Sequence, residues 1–386
     1  MNQSLSLIIS ILLILILIRR IHVGFAVFIG ALTLGFLTVG FKSIEILLST
    51  LKDFQTIKFI AIFVLAFTLA YSMQESGALD KITRSATSLF GKASTFVIPS
   101  MIGFLPMPGG AIVSAVMLRD VFKRFGFKPE KATFLNYWFR HIWACIDPIY
   151  PSVIIALAVL EIDYMTLIKS TYPITIAMAV SGIPFISFER LRVVRDYTGM
   201  LYVMPIILVM ILTALGIDLL YSLATILTMF CLFVKPNMRV VVRNVFNLRI
   251  FVLLISLLYF KEVIIETNSA SSLLRDLNFL PQDVVAFSLS FIVGFATGIE
   301  SGYSAIAFPL LIPFIGFGEV VSKNLLLVAG GGILGVMLSP LHLCLILTRE
   351  YYSSNLEVVY LRYLIPSSLL TFIIIIIFYL TGNLGI

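Results

Sequence analysis

Four residues of kinds that lipid penalises stand inside apolar stretches: Asn136, Arg140 and Asp147 in NYWFRHIWACIDP, and Glu300 in GFATGIESGYSAIAFP. An ionisable group at bilayer depth is a functional candidate by default, because burying it there costs about 3 kcal/mol or more. Spacings of four and seven put Asn136, Arg140 and Asp147 on one helical face up to a break at Pro148, with His141 at its border. Arg140 offers a fixed charge and a planar fork for a carboxylate or phosphate. Its structural alternatives are an ion pair with Asp147 or snorkelling to a basic membrane face. Pro148 cannot bond the carbonyl of Ala144, and Pro340 cannot bond that of Val336. These freed carbonyls, the Thr297 hydroxyl and the carboxylates of Asp147 and Glu300 make an oxygen-rich set for a coupling cation, Na+ or H+. Glu300 also reads as a helix cap.

The anion side of the chemistry lies in GFLPMPGGAIVSAVML, residues 103–118. Pro106 and Pro108 donate no backbone hydrogen bond, and Gly109 and Gly110 relax φ, so the chain turns and restarts a helix near Gly110. The N–H groups and positive dipole end of that helix suit a carboxylate. Ser114 follows one turn later. The second such tip carries Ser301, Gly302 and Ser304, while Ser339 and His342 flank Pro340. Together with Asn136 and Arg140 these form the expected substrate-binding set, although His342 alone reads first as a core polar group. Gly330, Gly331 and Gly332 read as sites of close helix packing. Ser301 with His342 as base would build an intramembrane serine protease, a reading that leaves the rest of the pattern unexplained. His22, His141 and His342 are too scattered for a zinc-protease motif, and no phosphate-binding loop supports a primary pump. Cys145, Cys231 and Cys344 read as small core hydrophobes without metal-ligand spacing.

The elements that must position these residues are membrane helices. Of 386 residues 60% are hydrophobic and 12% charged, and the runs 6–18 and 364–380 contain no charge, so the chain reads as a polytopic all-α membrane protein with no attached enzyme module. The first run is read as a retained span, because Arg19 and Arg20 follow it and no cleavage site is evident. The net charge of +7 reports orientation, since the Lys and Arg collect in alternate loops. Arg19 and Arg20, Lys81 and Arg84, the 119–131 cluster, Arg190 to Arg195 and the 235–249 segment fall on one side; the opposite side holds Lys42, Lys52, Lys58, Lys169, Lys261, Arg275 and Lys323. The positive-inside rule then places both termini outside the cytoplasmic membrane, and no nucleic-acid patch is evident.

A shift of 192 residues lays Gly109-Gly110 on Ser301-Gly302 and Asp147-Pro148 on Ser339-Pro340. Each half, 1–189 and 199–386 around a cytoplasmic linker at 190–198, reads as three spans, an interfacial amphipathic piece, a re-entrant hairpin, a broken span and a final span. The hairpins are expected at 94–124 and 282–316, the broken spans at 131–162 and 319–353. Five crossings per half invert the second half against the first, the pattern of a secondary transporter with a midplane site.

The twin hairpins, twin broken spans and PMPGG tip resemble the ion transporter superfamily, and within it the small prokaryotic integral-membrane branch of unknown function (DUF401-like). The resemblance implies an elevator-type carrier, a homodimer in the lipid bilayer, without a cofactor, moving a small anionic substrate. The Ser-Asn-Thr tips of sodium-coupled dicarboxylate members are absent here. The expected function is ion-coupled transport of a small organic anion; the alternative is cation/proton antiport on Asp147 and Glu300.

Overall fold

The computed structural model describes residues 2–105, 110–186, 197–246, 248–277, 279–318, 320–321 and 323–382. The first hairpin's tip, Pro106 to Gly109, and most of the linker, with Arg190, Arg192 and Arg195, lie outside the described residues. Among the described residues the regular structure is helical apart from one antiparallel pair of two-residue strands, β1 (Gly316–Phe317) and β2 (Val320–Val321). Three helical stretches, Phe54–Glu75, Asn324–Tyr352 and Leu356–Thr381, are long and apolar enough to cross a bilayer, and seven shorter apolar helices accompany them. By length and composition these mark a membrane protein.

The first half runs α1 (Gln3–Leu17), α2 (Val23–Val39), α3 (Lys42–Lys52), α4 (Phe54–Glu75), α5 (Ala78–Phe90), α6 (Ser94–Gly103), α7 (Gly110–Arg124), α8 (Pro129–Arg140), α9 (Pro151–Leu160) and α10 (Tyr164–Gly182). The second runs α11 (Met204–Ala214), α12 (Leu219–Val234), α13 (Met238–Val245), α14 (Leu248–Thr267), α15 (Ser269–Asp276), α16 (Gln282–Thr297), α17 (Glu300–Ile315), α18 (Asn324–Leu338), α19 (Leu343–Tyr352), α20 (Leu356–Val359) and α21 (Ile365–Thr381). A 3-10 stretch, Thr198–Val203, leads into α11, and a π turn, Tyr360–Leu364, joins α20 to α21.

The packing between the halves is reciprocal. Helix α2 lies along α14 while α4 lies along α12; α9 packs on α17 while α7 packs on α19; α10 meets α21, its own counterpart. If each half were placed independently, no such exchange of partners would be required. A twofold relation between the halves produces it directly, as in a self-complementary interface. Ion pairs cross the same boundary: Lys42 with Glu266 at 2.5 Å, Lys58 with Asp218 at 2.5 Å, and Lys261 with Glu161 at 2.7 Å.

Local chemistry sets the helix ends. Asp53, Asp163 and Asp218 each accept a hydrogen bond from an N–H in the first turn of the helix they precede, α4, α10 and α12. Gly298, at φ +62°, closes α16 in the left-handed region, and one residue later α17 begins, so the second hairpin turns within two residues. Helix α18 stops at Leu338, before Pro340, and α19 starts at Leu343. In the first half the break opens earlier than the proline alone requires. Helix α8 ends at Arg140, and residues 141–146 form successive turns, with Ala144 N–H to His141 O and Ile146 N–H to Trp143 O. Asp147 therefore lies beyond the helix and does not share a helical face with Asn136 and Arg140. Pro148 also disfavours the helical region for the residue before it.

Two further expectations change. The polar segments after α2 and α12 fold into the short amphipathic helices α3 and α13. Lys261 stands inside α14, 3% exposed, its ammonium held by Glu161 and Glu262, and not in a loop.

Backbones approach closely where α16 meets α18. A Cβ on Gly335 would lie 2.2 Å from the Phe291 carbonyl oxygen and 2.8 Å from the Phe295 nitrogen, whereas one on Gly330 would meet the end of the Ile375 side chain at 3.0 Å. Backbone cannot yield as a methyl group can. We expect Gly335→Ala to cost about 1–3 kcal/mol and to lower the melting temperature in detergent, with Gly330→Ala costing clearly less. Equal melting temperatures for the two variants would contradict this packing.

Candidate functional site

Two adjacent residues at the end of α8 face two different hairpins. Arg140 is 4% exposed; its Nη1 donates to Ile102 O at 3.3 Å and its Nη2 to Leu105 O at 3.5 Å, both at the end of α6. Gly110 opens α7 beside it, where a Cβ would stand 2.1 Å from Nη2. The guanidinium thus occupies the gap between the carbonyl end of one hairpin arm and the amide end of the other. A cation belongs at the carbonyl end of a helix. Both contacts are long, however, and among the described residues no carboxylate pairs with Arg140. Neither structural role expected for Arg140, a bridge to Asp147 or snorkelling to a membrane face, matches this position.

His141 turns the other way. Its Nε2 lies 3.2 Å from Oε1 of Glu300, the first residue of α17, and its Nδ1 lies 2.7 Å from the Tyr137 carbonyl oxygen. His342, the residue that precedes α19, brings its Nε2 to 3.9 Å from the same Glu300 oxygen. The two imidazoles meet edge to face with centroids 4.9 Å apart. Cys344, two residues into the restart, belongs to the same cluster: its sulfur and one nitrogen of each histidine all lie within 4.8 Å of one another. Both helix breaks and the second hairpin tip therefore converge on Glu300.

The other expected ligands divide. Asn136, fully buried, donates from Nδ2 to Ala111 O in α7 and to Thr348 Oγ1 in α19, while its Oδ1 has no partner. Ser304 Oγ is likewise buried and unpartnered. Ser114 bonds back to the carbonyls of Gly110 and Ala111, and Ser339 donates to Phe295 O. Ser301 and Gly302 stand in the first turn of α17. Gly109 is outside the described residues.

In the proposed cation set, Ala144 O accepts from Ser152 Oγ, and Val336 O accepts from Ser339 N–H and Tyr137 Oη. Thr297 Oγ1 donates to Gly294 O in its own helix. The carbonyls that the prolines free are thus met by protein donors, as polar groups in hydrocarbon require. Asp147 is fully buried; Oδ1 accepts from Ile149 N–H at 3.1 Å and Oδ2 has no partner. Glu300 faces the two histidines, whereas the hydrogen bond that the Asp147 carboxylate receives comes from Ile149 in its own turn.

A cavity of about 10 Å³ lies beside this region, lined by Ala144, Cys145, Ser152, Thr171, Tyr303 and Phe308, which leaves room for one water at most. Sequence reasoning passed over three participants: His141, Cys344 and Tyr137. His141 stands one residue outside the polar face counted from Asn136, and Cys344 is drawn into the cluster only because α18 breaks. A Tyr in an aromatic-rich helix gives no signal of its own.

No curated protein matches the chain. One family model does, over residues 1–381, nearly end to end. The chain accordingly belongs to the family described as a protein of unknown function, DUF401.

Proposed function

We propose that this protein is a secondary active carrier of a small organic anion, coupled to Na+ or H+ and working by an elevator-type alternation, as members of the ion transporter superfamily do. One observation carries the reading: a buried guanidinium at the mouth of a hairpin, held by two long carbonyl contacts and, among the described residues, by no carboxylate. A buried charge without a counterion is costly, and an anion seated between Arg140 and the start of α7 would relieve that cost while meeting the helix amides. Asn136, which already ties α8 to α7 and α19, would line the same place. The reciprocal packing of the halves supports two repeats inserted in opposite senses, each with one hairpin and one broken span. The moving body would comprise α6 to α9 and α16 to α19, and the remaining helices would form the scaffold of a homodimer in the cytoplasmic membrane, with both termini outside. Asp147, whose Oδ2 is buried without a partner, is the candidate for the coupling cation.

A ligand that binds the folded state raises stability by about 2.7 kcal/mol at a hundredfold excess over Kd, so a thermal-shift screen of small organic acids with and without Na+ identifies the substrate class. Arg140→Lys keeps the charge and loses the planar fork; the stabilising anion should bind that variant about tenfold more weakly, a difference of ~1.4 kcal/mol. Unchanged affinity in a folded Arg140→Lys variant would remove the anion from Arg140.

Asp147→Asn is nearly isosteric and should leave a folded protein whose anion-dependent stabilisation no longer responds to Na+ or pH. Flux in reconstituted vesicles distinguishes the alternative: a cation/proton antiporter exchanges cations at a rate indifferent to every organic anion, whereas the proposed carrier is driven by one.

A further inference from the structure

We infer that His141, His342, Cys344 and Glu300 form a binding site for a borderline divalent transition cation of the Zn2+ type. The site rests on residues of both halves: the end of α8, the break between α18 and α19, the first turn of α19 and the tip of the second hairpin. It is separate from the anion place at Arg140, and its existence does not depend on that reading.

Three features of the geometry ask for a cation rather than for ordinary hydrogen bonding. His141 Nδ1 lies 2.7 Å from the Tyr137 carbonyl oxygen, which can only accept, so the ring proton sits on Nδ1. Nε2 then faces Glu300 Oε1 at 3.2 Å. A positive centre belongs between that nitrogen and the carboxylate oxygen: a second ring proton makes the contact an ion pair, and a metal ion makes both atoms ligands. A backbone carbonyl fixing Nδ1–H while Nε2 ligates is the usual outer support of a metal-bound histidine. Second, His342 is 2% exposed with neither ring nitrogen hydrogen-bonded, an arrangement costly for a satisfied core residue and natural for a ligand awaiting its ion. Third, the thiol of Cys344 and one nitrogen from each histidine already lie within 4.8 Å of one another.

The donor set selects the ion. Two imidazoles, one thiolate and one carboxylate suit a four-coordinate Zn2+, which holds nitrogen and oxygen at about 2.0–2.2 Å and sulfur at about 2.3 Å. Hard cations such as Na+ or Mg2+ prefer oxygen and gain little from sulfur. Binding would draw the four ligands closer together and clamp the second hairpin tip to both helix breaks, so the ion would also bear on hairpin movement.

The test uses the full-length protein purified in detergent and stripped with a chelator, with Co2+ as a visible stand-in and no organic anion present. One equivalent of Co2+ should give the d–d absorption of a tetrahedral ion together with a thiolate-to-cobalt charge-transfer band, and Zn2+ should displace both. Cys344→Ser should abolish the charge-transfer band while Cys231→Ser keeps it. His342→Ala and His141→Ala should each weaken Co2+ binding by about tenfold or more, by analogy with the loss seen when ligand support is removed. Each variant is checked for an unaltered elution profile, and Cys344→Ser, the least disruptive change, guards against loss of fold. Absence of Co2+ binding by folded wild-type protein, or a charge-transfer band that survives in Cys344→Ser, would overturn the site. Because no anion is used, either result leaves the carrier proposal untouched, and failure of Arg140→Lys to alter anion affinity leaves the metal site untouched.

Discussion

Hydrocarbon offers no hydrogen bonds, so every backbone group released where a helix stops inside the membrane has to find a partner in the protein. That constraint organises the centre of this molecule. Helices α6, α8, α16 and α18 end near one another, and α7, α17 and α19 begin there. The polar residues of the centre are the partners those ends require: Arg140 for the carbonyls of α6, Tyr137 for those of α18, Ser152 for Ala144, Ser339 for Phe295. Among the groups left over after this matching are Asn136 Oδ1, Trp143 Nε1, Asp147 Oδ2, Ser304 Oγ, both ring nitrogens of His342 and Glu300 Oε1.

The two consecutive residues Arg140 and His141 deserve to be considered as one device. The helix stops between them, so their side chains diverge, one toward the first hairpin and one toward the second. One turn of backbone at the end of α8 thereby touches both hairpins. In the proposed carrier, a ligand that moved one hairpin would alter the surroundings of the other through that turn.

Much of this was legible in the sequence because proline and glycine act locally. Pro340 ends α18 close to its expected position, Glu300 opens α17 at the second tip, and α16 begins at Gln282, where the second hairpin is expected to start. What was not legible depended on how the ends meet. Helical spacing places Asp147 on the face of Arg140, yet the chain unwinds six residues before it, at His141, where no proline forces the change. Cys344 resembled any apolar-span cysteine until the break turned it toward His141. Helices α3 and α13 escaped because eight to eleven residues with several charges are too short for a span and were read as loops. Lys261 was read as a loop charge for the opposite reason: its partner Glu161 lies in the other half and cannot be found by local pattern.

The proposed carrier requires the two halves to enter the membrane in opposite senses, so that hairpin tips approaching from opposite faces would meet at the end of α8. The direct measurement is side-specific labelling of single cysteines placed after each hairpin, at the exposed positions Lys123 and Lys323, with Cys145, Cys231 and Cys344 replaced by serine. In intact cells a membrane-impermeant thiol reagent should label Lys323→Cys and leave Lys123→Cys unmodified until the membrane is opened. Labelling of both positions from the same side would contradict the inverted arrangement and, with it, the midplane site.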